Sequence, residues 1–261
     1  MSEKPTTAIC RSTAEDVFIR GKSLTKDLIG KASFTELMLF QILGTEPSPA
    51  QVAVVDACLV TIMEHGLTPT AIAARLTYTS APEAMQGAVA AGLASVGSLF
   101  VGTMEGAAVL LDRIAQSEDP DAEAAAIVSE HAERGARLPG FGHPIHEPDD
   151  PRTPVLLAVA EAEGVAGARC AALATLSRAV DAARGKHLTV NATGAIAACL
   201  GDCGVPAEIM RGFALIARCA GLVGHIREEQ LNPAMTALWM AGEHAVPFEA
   251  APNDDPKEKN E

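Results

Sequence analysis

Residues 138–154 read LPGFGHPIHEPDDPRTP: two histidines three residues apart, three acidic residues, one arginine and five prolines. Imidazole changes protonation near neutral pH, so it can give or take a proton on a substrate oxygen. A guanidinium meets a carboxylate with two parallel N–H groups. His143 and Arg152 on one proline-stiffened loop therefore suit a small polyanionic acid, held by arginine and polarised by histidine. A second arginine, Arg218, lies inside the apolar run GFALIARCAGLVGH. Such a charge is costly unless it meets an anion, either a buried carboxylate of the protein or that of a substrate. No Ser/His/Asp or Cys/His order is present, which points away from a hydrolase triad. His143 and His146 have loose metal-ligand spacing, but no cysteine or third histidine lies nearby in sequence and proline fixes the intervening loop, so no metal is expected.

The remaining histidines carry plainer alternatives. His65 precedes Gly66 at a helix end, where it either complements the helix dipole or serves a site. His225 lies late in an apolar helix near Arg227 and two glutamates, and a structural role is the first expectation. His131 and His244 read as solvated.

These residues must be positioned by helices. SFTELMLFQILG offers Ser33 as N-cap, Glu36 as its capping-box partner and Gly44 as terminator. Ser48, Pro49 and Gln51 repeat that signal, Thr68–Pro69 starts another helix, and Asp119–Pro120 opens one that ends at Arg134–Gly135. Further helices are expected in APEAMQGAVAAGLASVG, EGAAVLLDRIA, TPVLLAVAEAEG, GARCAALATLSRAVDAARG, GAIAACLGDCG and VPAEIMRGFALIARCAGLVGHIREE. Only residues 15–21, EDVFIRG, hint at a strand. The expected fold is all-α, with about ten to twelve helices.

Composition narrows the function classes. The 261 residues are 48% apolar but only 3% aromatic, and alanine-rich chains favour closely packed helices. A formal charge of −13 makes nucleic-acid binding unexpected, because phosphates need a basic face. No uninterrupted apolar run reaches about 18 residues, so no membrane span is expected. The first ten residues show no apolar signal core, and the six cysteines form no CxxC pair. They read as small buried hydrophobes of a cytoplasmic protein.

Four segments, in order, carry a resemblance. PGFGHPIHEPDDPRTP resembles the histidine-plus-arginine segment of the citrate synthase family, and MEHGLTPTAIAARL its earlier histidine segment. FALIARCAGLVGHIREEQ is similar to its late helix ending in histidine, and LTVNATGA falls where the family reads Asn-Val-Asp. The short length is closest to the citryl-CoA lyase branch. The resemblance implies an all-α homodimer or higher homo-oligomer, with residues 1–99 and 194–250 in a large helical domain and 100–193 in a smaller lobe; the acidic composition of residues 251–261 reads as a disordered tail. It implies His65 and His143 facing the oxo-acid half of the substrate and His143 polarising the carbonyl or taking the hydroxyl proton. Arg152 and Arg218 would clamp carboxylates, with Asn191 and Phe100 beside the substrate. Pro139, Gly140, Phe141 and Gly142 would run past coenzyme A. A CoA thioester and a small carboxylic acid are the implied ligands, with no permanently bound cofactor.

Two departures bear on chemistry. Phe100 stands where the synthases carry a histidine, which favours the lyase branch. Thr193 stands where the family carries its catalytic aspartate, and a threonine hydroxyl is no carboxylate base. Thr193 either caps the next helix or donates to a thioester oxygen. The expected activity is cleavage of a 3-hydroxy-3-carboxyacyl-CoA, citryl-CoA or a relative, to an acyl-CoA and a 2-oxo acid. The alternatives are a diverged hydrolase or decarboxylase, or a non-catalytic homologue that binds CoA or a dicarboxylate.

Overall fold

The computed structural model describes residues 4–249. The acidic tail expected at 251–261 lies outside them. Eleven α-helices occur among the described residues: α1 (Phe34–Leu43), α2 (Pro49–Met63), α3 (Pro69–Ser80), α4 (Met85–Ala94), α5 (Met104–Gln116), α6 (Pro120–Glu133), α7 (Arg152–Ala162), α8 (Ala168–Arg184), α9 (Ala192–Asp202), α10 (Met210–Leu231) and α11 (Met235–Ala245). The all-α expectation holds. The capping boxes at Ser33/Glu36 and Ser48/Gln51 form in full, and the Asp119 side chain accepts from the Ala122 N–H.

Two features go beyond the expectation. The strand hinted at 15–21 is the middle of a three-stranded antiparallel sheet of β1 (Cys10–Ser12), β2 (Val17–Ile19) and β3 (Lys22–Ser23), with Cys10 opposite Ile19 and Phe18 opposite Ser23. Strands of two or three residues are too short for an alternating pattern to show. Helix α11 is not among the expected helices; its N-cap is Ala234, with no side-chain cap hydrogen bond, and none of its residues is buried.

Two compact units emerge. One comprises the described residues up to His65 together with Val96–Arg218; the other comprises Gly66–Ser95 and the described residues from Cys219 onward. These boundaries do not coincide with the lobe expected over 100–193, all of which belongs to the first unit.

The first unit is built around α9, whose residues Gly194–Gly201 are all buried. Its interior is Ala195, Ala197 and Ala198, and such small side chains let α2, α5, α7 and α8 pack directly against it. Leu111 and Ile114 of α5, Ile127 of α6, Leu176 of α8 and Phe213 of α10 fill the surrounding core.

In the second unit α3 packs on α4, and Gly92 is pressed between Leu222 and the Thr70 carbonyl, where a Cβ would stand 2.6 and 2.8 Å from them. Buried Arg75 pairs there with buried Glu229 at 2.9 Å and with Glu228, and its Nε donates to His225 Nδ1 at 3.0 Å. Glu229 also accepts the N–H groups of Ala234 and Met235, capping α11. His225 is thereby part of a structural network, as first expected.

Residues 207–231 are long and apolar enough to cross a membrane by length and composition. Here they form a core helix, with Phe213, Ala214, Leu222 and Ile226 buried.

Candidate active site

The histidine-plus-arginine loop is held by the chain just before α9. The Gly142 N–H donates to the Thr189 carbonyl at 2.7 Å, and the Asn191 N–H to the Gly140 carbonyl at 3.0 Å, on either side of a Phe141–Val190 bridge. The Asn191 side chain donates to the Gly142 carbonyl, the Thr189 hydroxyl to the Pro148 carbonyl and the Thr153 hydroxyl to the Val190 carbonyl, at 2.9, 2.6 and 2.8 Å. Gly140 has φ +87° and Gly142 φ +77°, the left-handed region that glycine enters without steric cost.

The close backbone approach seen at Gly140 is to the protein itself. A Cβ on Gly194 would stand 2.7 Å from the Gly140 carbonyl, and one on Gly140 3.0 Å from the Gly194 Cα. Gly194→Ala must therefore push the loop off α9. We expect a loss of about 1–3 kcal/mol, the usual cost of overpacking, read from urea unfolding.

The backbone of the loop selects one tautomer of His143, two N–H groups on Nδ1 outweighing the longer contact from Arg152 Nη2 to Nε2 at 3.4 Å. Its Nδ1 accepts the N–H groups of Ile145 and His146 at 3.2 and 3.0 Å, so Nδ1 carries no proton. The neutral ring must then carry its proton on Nε2. Burial, then the neighbouring His146 and Arg152, push its pKa below the ordinary 6.5 and keep it neutral. Nε2 lies 3.3 Å from Nε2 of His65, and the rings stack at 5.3 Å. His65 then offers a lone pair to that N–H. His65 does not lie in the last turn of a helix: α2 ends at Met63, Glu64 is already extended, and Gly66 turns the chain at φ +72°. The helix-dipole alternative for His65 is overturned.

His146 completes the cluster. Its ring stacks on His143 at 4.4 Å and on His65 at 5.4 Å. One ring nitrogen from each of the three histidines lies within 4.8 Å of the others. The structure thus supplies the third histidine that was not visible near this pair in sequence. The set suits an oxygen ligand better than a metal ion. Nδ1 of His143 is committed as an acceptor, so metal on Nε2 would require an imidazolate. The Arg152 guanidinium, 3.4 Å from that Nε2, also opposes a cation.

Arg152 is half neutralised. Asp150, 1% exposed, accepts its Nε and Nη2 at 2.9 and 2.7 Å. Asp150 also accepts the N–H of Arg152, first residue of α7, and of Ala192, first residue of α9, at 3.1 and 3.0 Å. Burial alone would raise its pKa, but these hydrogen bonds outweigh it and hold the carboxyl at about 2.

Arg218 differs. It is 2% exposed, and among the described residues neither Nε nor Nη1 has a hydrogen-bond partner. Burial depresses its pKa; Glu64 opposes that and Arg152 adds to it. Two buried guanidinium donors with nothing to meet are what a carboxylate would satisfy.

Thr193 has its hydroxyl committed. It donates to Asn191 Oδ1 at 2.7 Å, and it therefore accepts from the Thr103 hydroxyl, also at 2.7 Å. The helix cap is Asn191, whose side chain accepts from the Gly194 N–H; the capping alternative for Thr193 is overturned because α9 starts at Ala192. Phe100 is 39% exposed, on the Gly97–Gly102 turn before α5. Pro139 packs beside Gly106, while Phe141 pairs with Val190. His131, expected to be solvated, is half-buried and its Nδ1 bonds the Ile127 carbonyl at 2.9 Å.

Asp150 and His146 are site residues that the sequence expectation leaves without a role, although DDPR and HPIH are signals for them. Thr103 had none.

A family model described as citrate synthase, C-terminal domain, matches residues 6–237. The solved citryl-CoA lyase from Hydrogenobacter thermophilus has a TM-score of 0.84 at 29% identity, covering 95% of this chain and 95% of its own. ATP citrate lyase from Methanothrix soehngenii, solved with citrate and coenzyme A, has a TM-score of 0.79 at 20% identity over 98% of this chain and 44% of its own, a likeness of fold. The citrate synthase of Haloferax volcanii is 26% identical over 194 residues, 73% of this chain and 50% of that protein. The chain spans about half the length of the curated relatives it matches.

Proposed function

Because the chain belongs to the citrate synthase family, we propose that it cleaves a 3-hydroxy-3-carboxyacyl-CoA, citryl-CoA or a relative, into an acyl-CoA and a 2-oxo acid. The observation that carries this is the three-imidazole cluster beside Arg152, with a second guanidinium, Arg218, buried and unsatisfied. The likeness in fold to a solved citryl-CoA lyase, at 29% identity, adds support.

The tautomer of His143 divides the labour. Its Nε2–H can polarise the hydroxyl or carbonyl oxygen, but with Nδ1 committed it has no free lone pair for a proton. His65 Nε2 has a lone pair that faces the His143 N–H in the unliganded site and turns to the substrate hydroxyl when that hydroxyl comes between the two rings, and it is the proposed base. The substrate hydroxyl donates to His65 and accepts from His143 as its proton leaves. The C–O bond becomes C=O, the adjacent C–C bond breaks, and its electron pair moves into the thioester enolate, which then takes a proton. Arg218 and the free face of Arg152 hold carboxylates of the departing acid. Thr193, its proton committed to Asn191, serves as a positioning residue for the loop.

The test is a coupled assay with purified protein and citryl-CoA. Wild type is expected to release acetyl-CoA and oxaloacetate. His65→Ala and His143→Ala are each expected to lower kcat by about 10²–10⁴-fold, the usual worth of a positioned acid or base. Undiminished turnover in His65→Ala rules out His65 as the base. If wild type releases no 2-oxo acid from any 3-hydroxy-3-carboxyacyl-CoA, the lyase reading is wrong. The committed Thr193 hydroxyl favours a second reading, a site that binds a dicarboxylate without turnover; it predicts citrate binding in that silent protein.

A further inference from the structure

We propose that His187 is a positioning residue for this site: as an imidazolium it ties Asp149, in the His143–Arg152 loop, to Asp181 of α8, and so holds the loop in place in a pH-dependent way. Its Nδ1 lies 2.7 Å from Asp181 Oδ2 and its Nε2 3.1 Å from Asp149 Oδ1. A neutral imidazole has one N–H, so one nitrogen would turn its lone pair on a carboxylate oxygen. Only the doubly protonated ring donates to both.

The clamp stands at the start of the segment that frames the site. The other oxygen of Asp181 accepts the Leu188 N–H at 2.9 Å, fixing the chain that leads into Thr189, Val190 and Asn191. Those three residues hold Gly140, Gly142, Pro148 and Thr153 by the bonds described above. Asp149 adjoins Asp150, which grips Arg152. The loop is thus anchored twice at neighbouring residues, inward by Asp150 and outward through His187.

The charged groups brought to the ring are Asp181 from α8 and Asp149 from the loop; Lys186 precedes it in the chain. The hydrogen bond from Asp181, then its charge and that of Asp149, outweigh burial and raise the His187 pKa above the ordinary 6.5. A raised folded pKa means that the clamp is complete below pH 6.5 and is lost as pH rises through the folded value. His187 is 41% exposed on its side chain, so protons reach it freely.

The function of the loop rests on the proposed carboxylate site, but the clamp can be tested without it. Histidine ring signals would be followed by NMR across pH in wild type, Asp181→Asn and Asp149→Asn. His187 should titrate above 6.5 in wild type and at a lower pH in Asp181→Asn than in wild type. Amide protection of residues 143–150 should drop severalfold through that pH range in wild type. It should be low at all pH in His187→Gln, and stay high in His187→Arg, which keeps its charge. Citrate affinity, by calorimetry, should follow the same pattern. A wild-type His187 titrating at or below 6.5, or loop protection that changes with pH identically in His187→Gln, overturns the proposal. If citrate binds no variant while titration and protection behave as expected, the clamp stands and only the carboxylate reading fails.

Discussion

Arg218→Met is expected to make the unliganded protein more stable and to remove its affinity for citrate. The two effects share one cause. The guanidinium is 2% exposed with Nε and Nη1 unpartnered among the described residues, so the folded protein bears its desolvation without the hydrogen bonds that would compensate it. Methionine has a similar reach and no polar atom to satisfy. Replacing buried charge by apolar side chains of like volume commonly stabilises by about 1–4 kcal/mol, and the lower half of that range is expected because Glu64 lends Arg218 some favourable charge. On ligand binding the sign reverses. A carboxylate meeting two charged donors gains about 1.5–3 kcal/mol for each bond. Losing them should weaken citrate binding by about 100-fold or more. Urea unfolding and calorimetry on the same pair of proteins decide it. A variant that is less stable yet binds citrate normally would mean that Arg218 serves the fold.

Asp150→Asn is expected to act in the opposite direction on stability. Asp150 is buried and accepts four hydrogen bonds, two from the Arg152 side chain and two from the first N–H groups of α7 and α9. The isosteric amide carries no charge and turns at least one N–H toward a donor. It leaves the Arg152 cation uncompensated and removes an anion from two helix N-termini. Breaking one side of a buried pair costs about 3–5 kcal/mol. Because Arg152 then swings free beside His143, turnover should fall with it. The acid limb of stability gives an independent check. The Asp150 carboxyl titrates near 3.8 in an open chain and at about 2 when folded. Its stabilisation, about 2 kcal/mol by linkage, is fully present above pH 4 and is lost as pH falls through 2. Urea midpoints at pH 7, 4 and 3 should therefore converge between wild type and variant as pH falls. Parallel curves would show that the Asp150 charge contributes nothing.

Much of this protein is legible in sequence because the signals are local. A capping box spans three residues, so Ser33 with Glu36 and Ser48 with Gln51 announce helix starts by themselves. The same holds for the GFGH and DPR motifs, which point by themselves to the family and to His143 and Arg152. Other features depend on chain segments far apart. His65 meets His143 across 78 residues, and Asp150 reaches the start of α9 across 42. Asn191, and not Thr193, caps α9, because the Gly142 carbonyl and Thr103 orient that pair from elsewhere in the chain. The tautomer of His143 follows from two backbone N–H groups whose direction only the folded loop sets. That Arg218 is buried was readable from its apolar run, but that its Nε and Nη1 meet nothing was not. An arginine in such a run looks the same whether a carboxylate of the protein waits opposite it or an open site does, and only the packed structure distinguishes the two.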